Sequence, residues 1–106
     1  MKPYYQDEQT TIYHGDCREV LPTLATGSVD LVLTDPDYNG KDIGVRQGNY
    51  SSEVKVKLPD DTYKDWCQEW FRLVSSLTDR IAFTSGIRNA WNYPPPKWML
   101  AWYKPG

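Results

Sequence analysis

The stretch DDTYKDWCQEWFRLVSSL, residues 60–77, constrains the fold most. Its apolar residues recur at helical spacing. Tyr63, Trp66, Trp70, Leu73, Val74 and Leu77 share one face, and Lys64, Asp65, Gln68, Glu69 and Arg72 face water. The spacing predicts an amphipathic helix capped by Asp60 or Asp61. Strand-like runs flank it at a distance. VDLVLT (29–34) is short and mostly apolar, which suits a strand buried on both faces. RIAFTSG (80–86) is a second strand, ending in small residues.

The rest of the chain extends this alternation. TTIYHGD (10–16) reads as a strand running into a turn. Asp16 can cap a short helix there, with Glu19 as its capping-box partner. Val20, Leu21 and Leu24 give that helix an apolar side, and Pro22 should kink or stop it. Strand, helix and strand in this order argue a parallel βαβ unit. IRNAW (87–91) reads as a short helix, and PPP (94–96) blocks regular structure. KWMLAWY (97–103) reads as a last strand, with Trp98, Leu100 and Trp102 on one packed face. The whole pattern predicts an α/β fold: a partial, mostly parallel open sheet with helices on its faces, in one domain over residues 1–106. Ligands collect at the carboxyl ends of such strands. Asp16, residues 35–38 and Ser85–Gly86 would all lie along that edge.

Residues 39–60 break the pattern. They hold three glycines and no clear period, and Lys41, Arg46, Lys55 and Lys57 outnumber Asp42 and Glu53. A loop this long is usually functional or disordered. The four cations could follow phosphates, or simply be solvated. Overall the chain carries 12 basic and 14 acidic residues, a net charge of -2. That excludes the basic excess of a free-standing nucleic-acid binder, so any DNA contact must be local or completed from elsewhere. The two cysteines, Cys17 and Cys67, have no metal spacing, and the single histidine, His14, has no acid or thiol at ligand distance in sequence. Neither predicts a metal site. Thr84–Ser85–Gly86 lacks the flanks of a nucleophile and reads as a strand end. No apolar run is long enough for a membrane or a secretory signal, which leads to the expectation of a cytoplasmic protein with reduced thiols.

The run LVLTDPDYNG, residues 31–40, carries the chemistry question. Asp-Pro-Asp alone is good turn chemistry, because Asp bonds nearby backbone and Pro presets φ. Yet the turn follows a buried strand and leads into a tyrosine, and Gly15–Asp16 closes the strand before it. A plain turn and a site both remain open on these residues alone.

The block IYHGDCREVLPTLATGSVDLVLTDPDYNG resembles the N-terminal part of amino-group DNA methyltransferases, which act on adenine N6 or cytosine N4. Their motif is Asp/Asn/Ser-Pro-Pro-Tyr/Phe after an apolar strand, with a Gly-Asp about twenty residues earlier. RIAFTSGIRNAWNYPPPKWMLAWYKPG resembles the strands that follow in phage-type members. The resemblance implies a Rossmann-like fold and methyl transfer from S-adenosylmethionine to DNA, as in restriction-modification, with adenine N6 favoured over cytosine N4. It also assigns roles. The Asp35 side chain and the Pro36 carbonyl would accept from the two N–H bonds of the target amine. Tyr38 would stack on a base extruded from the duplex. Asp16 matches an acid beside the cofactor's adenine; as a helix cap it would have a purely structural job.

Two departures qualify these expectations. Asp37 stands where the family has a second proline, which loosens Pro36 and adds charge near a DNA-facing pocket. The Gly-rich loop that binds the methionine end of the cofactor has no counterpart in these residues. Both lead to the expectation of the front part of a methyltransferase, weak or inactive alone. A sheet left incomplete would expose an edge open to self-association or to a second polypeptide. The alternative expectation is a non-catalytic remnant that binds DNA or a partner protein.

Overall fold

A computed structural model describes residues 1–39, 58–101 and 105 of the chain. Its longest element is the helix the spacing predicted, α2 (Asp60–Ser75). Two three-residue strands, β3 (Val32–Thr34) and β4 (Ile81–Phe83), pair in parallel. The register is Val32↔Ile81, Leu33↔Ala82 and Thr34↔Phe83. The order β3, α2, β4 is thus a crossover unit, the connection that parallel strands require. Before it come β1 (Tyr5–Gln6), β2 (Thr11–Ile12) and α1 (Cys17–Val20), and after it α3 (Gly86–Asn89).

The apolar face of α2 makes the core. Tyr63, Cys67, Trp70 and Val74 are buried with Tyr93, and Val32, Ile81 and Phe83 of the sheet pack against them. Most of the ring contacts are edge to face, and Tyr63 stacks on Trp66. Trp70 sits 5.5 Å from both Phe83 and Tyr93, and Phe83 lies 4.6 Å from Tyr93. Such T-shaped contacts align the positive ring edge with a negative ring face. The helix entry differs from expectation: Pro59 holds the N-cap position, and Asp60 and Asp61 fall in the first turn. There the acids still favour the helix, because they face its positive end.

Three expectations fail for identifiable reasons. Residues 11 and 12 do not open a parallel βαβ unit. They pair antiparallel with Tyr5–Gln6, because Asp7 closes a tight turn by accepting from the Gln9 and Thr10 amides at 2.9 and 2.7 Å. The strand at 29–34 is not buried on both faces. Val32 and Thr34 turn toward α2, while Leu33 is 77% exposed. One helix covers one face, and among the described residues nothing covers the other. Residues 97–101 form no strand, and Trp98 and Leu100 are exposed rather than packed together. Trp102 lies outside the described residues, as do 40–57, which include the four cations of the expected long loop. The short helix expected at 87–91 is present as α3, continued by a 3-10 turn at Ala90–Asn92.

The Trp70 ring, 4% exposed, meets Trp66, Phe71, Phe83 and Tyr93, so its loss should be felt across the core. Trp70→Ala is expected to cost about 3–5 kcal/mol in denaturant unfolding. Trp91→Ala, at a position 85% exposed, is expected to change stability by less than about 0.5 kcal/mol.

Candidate base pocket at the strand tips

The motif residues 35–38 begin where β3 ends. Tyr38 folds back and its hydroxyl donates to Asp35 Oδ1 at 2.8 Å. Thr84, one residue past β4, donates its hydroxyl to the same oxygen. The carboxylate, the phenol ring and the β4 tip therefore meet at one place, the carboxyl edge of the parallel pair. Asp35 is exposed, and Pro36 and Tyr38 are half-buried.

Three buried or half-buried side chains hold this loop by its backbone. The Tyr63 hydroxyl, from the first turn of α2, donates to the Asp37 carbonyl at 2.6 Å. The Asn89 amide, from the end of α3, donates to the Tyr38 carbonyl at 3.2 Å. Asn39 acts like a strand residue: its side chain donates to the Leu58 carbonyl at 2.8 Å and accepts from the Leu58 amide at 2.7 Å. Asn39 also sits at φ 55, a left-handed conformation that asparagine tolerates better than most residues. Burial raises the Tyr63 hydroxyl far above its ordinary pKa, so it remains a donor throughout the ordinary pH range.

Sequence reasoning placed Tyr63 on the apolar face and stopped there. It read Thr84 only as part of a strand end and assigned nothing to Asn89 or Asn39. A buried asparagine leaves no trace in hydrophobic periodicity. For Thr84 a signal existed, since any residue just past a parallel strand borders the carboxyl edge.

Asp16 serves as a helix cap in the structure. Its Oδ1 accepts from the Arg18 amide at 2.9 Å, which caps α1. Both its oxygens also accept from the Arg18 guanidinium, the shortest contact being 2.6 Å. The Arg18 side chain holds the Asp16 carboxyl down at about 2, and the Arg18 amide adds to the effect. Because the folded value is depressed, the cap is fully present above the ordinary carboxyl range. It is lost as pH falls through about 2.

Away from the strand tips, α2 sorts its charges. Lys64, Gln68 and Arg72 line a groove of about 410 Å³ closed by Trp91, Asn92 and Tyr93. Asp65 and Glu69 line a different one, with Arg18. Among the described residues no cluster of His, Cys, Asp and Glu could hold a metal, and no helix is long and apolar enough to cross a membrane.

The Asp16 arrangement gives a direct test. A carboxyl NMR titration is expected to place Asp16 near a pKa of about 2, and Arg18→Ala to bring it back toward 3.8.

Comparison with known proteins agrees with the resemblance read from the motif. The chain is 34% identical over 77 residues to the type II methyltransferase M.ScaI of Streptomyces caespitosus, covering 73% of this chain and 22% of that protein. It is 29% identical over 70 residues to the type II methyltransferase M.BamHI of Bacillus amyloliquefaciens, covering 66% of this chain and 15% of that protein. The chain thus spans about a fifth or less of the length of these relatives. No protein-family model and no solved structure matches it. Identity on this scale, in a chain that turns an Asp-Pro-x-Tyr motif into a carboxylate beside a phenol ring, makes it a relative of the type II methyltransferases.

Proposed function

We propose that the chain supplies the base pocket of a DNA methyltransferase that acts on an exocyclic amino group, adenine N6 before cytosine N4. The observation that carries this reading is the meeting of Asp35 and Tyr38 at the carboxyl edge of a parallel strand pair. An exocyclic amine shares its lone pair with the ring and is a poor nucleophile. Acceptors on its N–H bonds strengthen as the nitrogen becomes tetrahedral and positive, so they favour the transition state over the ground state. Asp35 offers one acceptor and the Pro36 carbonyl the other. The Tyr38 ring is half-buried beside them, where it can take a base extruded from the duplex.

The β3, α2, β4 unit is then one crossover of a Rossmann-like sheet, and the chain one partial domain of such an enzyme, of bacterial or phage origin and cytoplasmic. S-adenosylmethionine supplies the methyl group when bound. Its expected contact, Asp16, has both carboxylate oxygens occupied by Arg18 and serves as a helix cap. The reading therefore assigns this chain the amine and the base and leaves the cofactor's contacts out of its mechanism.

DNA as partner is supported by the groove beside α2. Lys64 and Arg72 lie eight residues apart on one face, about 12 Å along the axis, next to an exposed indole at Trp91. Two cations and one aromatic ring suit a phosphate backbone with an unstacked base.

Two measurements test the proposal. In a methyl-incorporation assay with S-adenosylmethionine and duplex DNA, Asp35→Ala is expected to lower incorporation at least about 100-fold. Incorporation that survives the substitution refutes the site, and DNA binding without any incorporation by the parent chain favours the non-catalytic reading. In DNA titrations at several salt concentrations, Lys64→Ala with Arg72→Ala is expected to flatten the slope of log K against log salt by about 1.8, for two phosphates.

A further inference from the structure

The pairing of β3 with β4 has one step beyond its last bridge. The Thr84 amide donates to the Thr34 carbonyl at 3.3 Å, which sets Thr84 beside Asp35 across the two strand tips. Side chains alternate along a strand, so Asp35 and Thr84 turn to the side opposite Thr34 and Phe83. There the Thr84 and Tyr38 hydroxyls share one acceptor, Asp35 Oδ1.

The two donors differ in what holds them. Thr84 follows a paired strand, and its branched Cβ leaves little freedom at χ1. Tyr38 belongs to the motif loop, and its ring is the group that a base must stack against. We infer that Thr84 is a positioning residue for Asp35, and that the Tyr38 hydroxyl is a placeholder which an incoming amine displaces from the carboxylate. This rests on the base-pocket reading above. With Thr84 in place the carboxylate is oriented before the base arrives, and less freedom is lost on binding. The Tyr38 hydroxyl, in contrast, competes with the amine for the same group. Removing it and keeping the ring should help binding. Removing Thr84 should harm it.

The experiment uses the whole chain and has a readout that needs no ligand. In carboxyl-labelled protein, the Asp35 carbon resonance is expected to move in Thr84→Val and to return in Thr84→Ser, which restores the hydroxyl. Adenosine and cytidine are then titrated while the same resonance is followed. Thr84→Val is expected to weaken nucleoside binding up to about tenfold, the loss of one bond to a charged acceptor. Thr84→Ser should bind like the parent, and Tyr38→Phe about threefold tighter. An Asp35 resonance unmoved in Thr84→Val overturns the inference whatever the nucleosides do. If it moves but neither nucleoside binds the parent chain, the base-pocket reading has failed and takes this inference with it. Equal weakening by Thr84→Val and Tyr38→Phe refutes the division of roles.

Discussion

The strand tips are placed by the burial of one helix face. Helix α2 lays Tyr63, Cys67, Trp70 and Val74 against Val32, Ile81 and Phe83. With strands of only three residues, the ladder between β3 and β4 has few bonds of its own. Its alignment depends on the side chains packed beneath it, chiefly the rings around Trp70. The same helix then reaches the site directly. Tyr63 is at once a core residue, 2% exposed, and the donor that holds the Asp37 carbonyl. Core and site are one construction, and a shift of α2 along its axis would move both.

This coupling explains which parts were legible in the sequence. Helix α2 was legible because sixteen residues repeat one period, and no other arrangement buries those rings together. The stop of α1 just before Pro22 and the role of Asp16 as a cap follow from residue chemistry over a few positions. The motif at 35–38 reads as a candidate site through resemblance, while its residues alone leave a turn and a site both open. What stayed hidden is non-local. Nothing in IRNAW says that Asn89 will reach the carbonyl of Tyr38, 51 residues earlier. Nothing in KWML says that an alternating aromatic run will find no partner strand among the described residues. Strand propensity needs an edge to pair with, and the sequence alone does not locate one.

Asn89 also illustrates what holding a loop costs. It is 2% exposed, and its Oδ1 has no hydrogen-bond partner among the described residues. An unpaired buried carbonyl costs about 1–3 kcal/mol, more than the usual net worth of the one bond its amide makes. Packing alone would favour an apolar residue here. The bond to Tyr38 gives the asparagine a role that packing cannot supply: it fixes the peptide that follows the Tyr38 ring. The same logic separates Asp16 from Asp35. Both are acids after a strand or turn, yet Asp16 has its own arginine two residues away and turns inward to its helix. Asp35 accepts from Thr84, just past the neighbouring strand, and from Tyr38 in its own loop.

The replacement of the second motif proline by Asp37 then acquires a local reason. Proline would restrict Pro36 to extended backbone, and a compatible proline is worth about 0.4–1 kcal/mol through the unfolded chain. It would also delete the carboxylate whose Oδ1 accepts from the Asn39 amide at 2.6 Å. Bonds to charged acceptors are worth about 1.5–3 kcal/mol, before any discount for exposure. That bond helps keep Asn39 at its positive φ, and Asn39 in turn pairs twice with Leu58 at the entrance to α2. Aspartate thus ties the motif loop to the helix by a chain of contacts that proline would break at its first link.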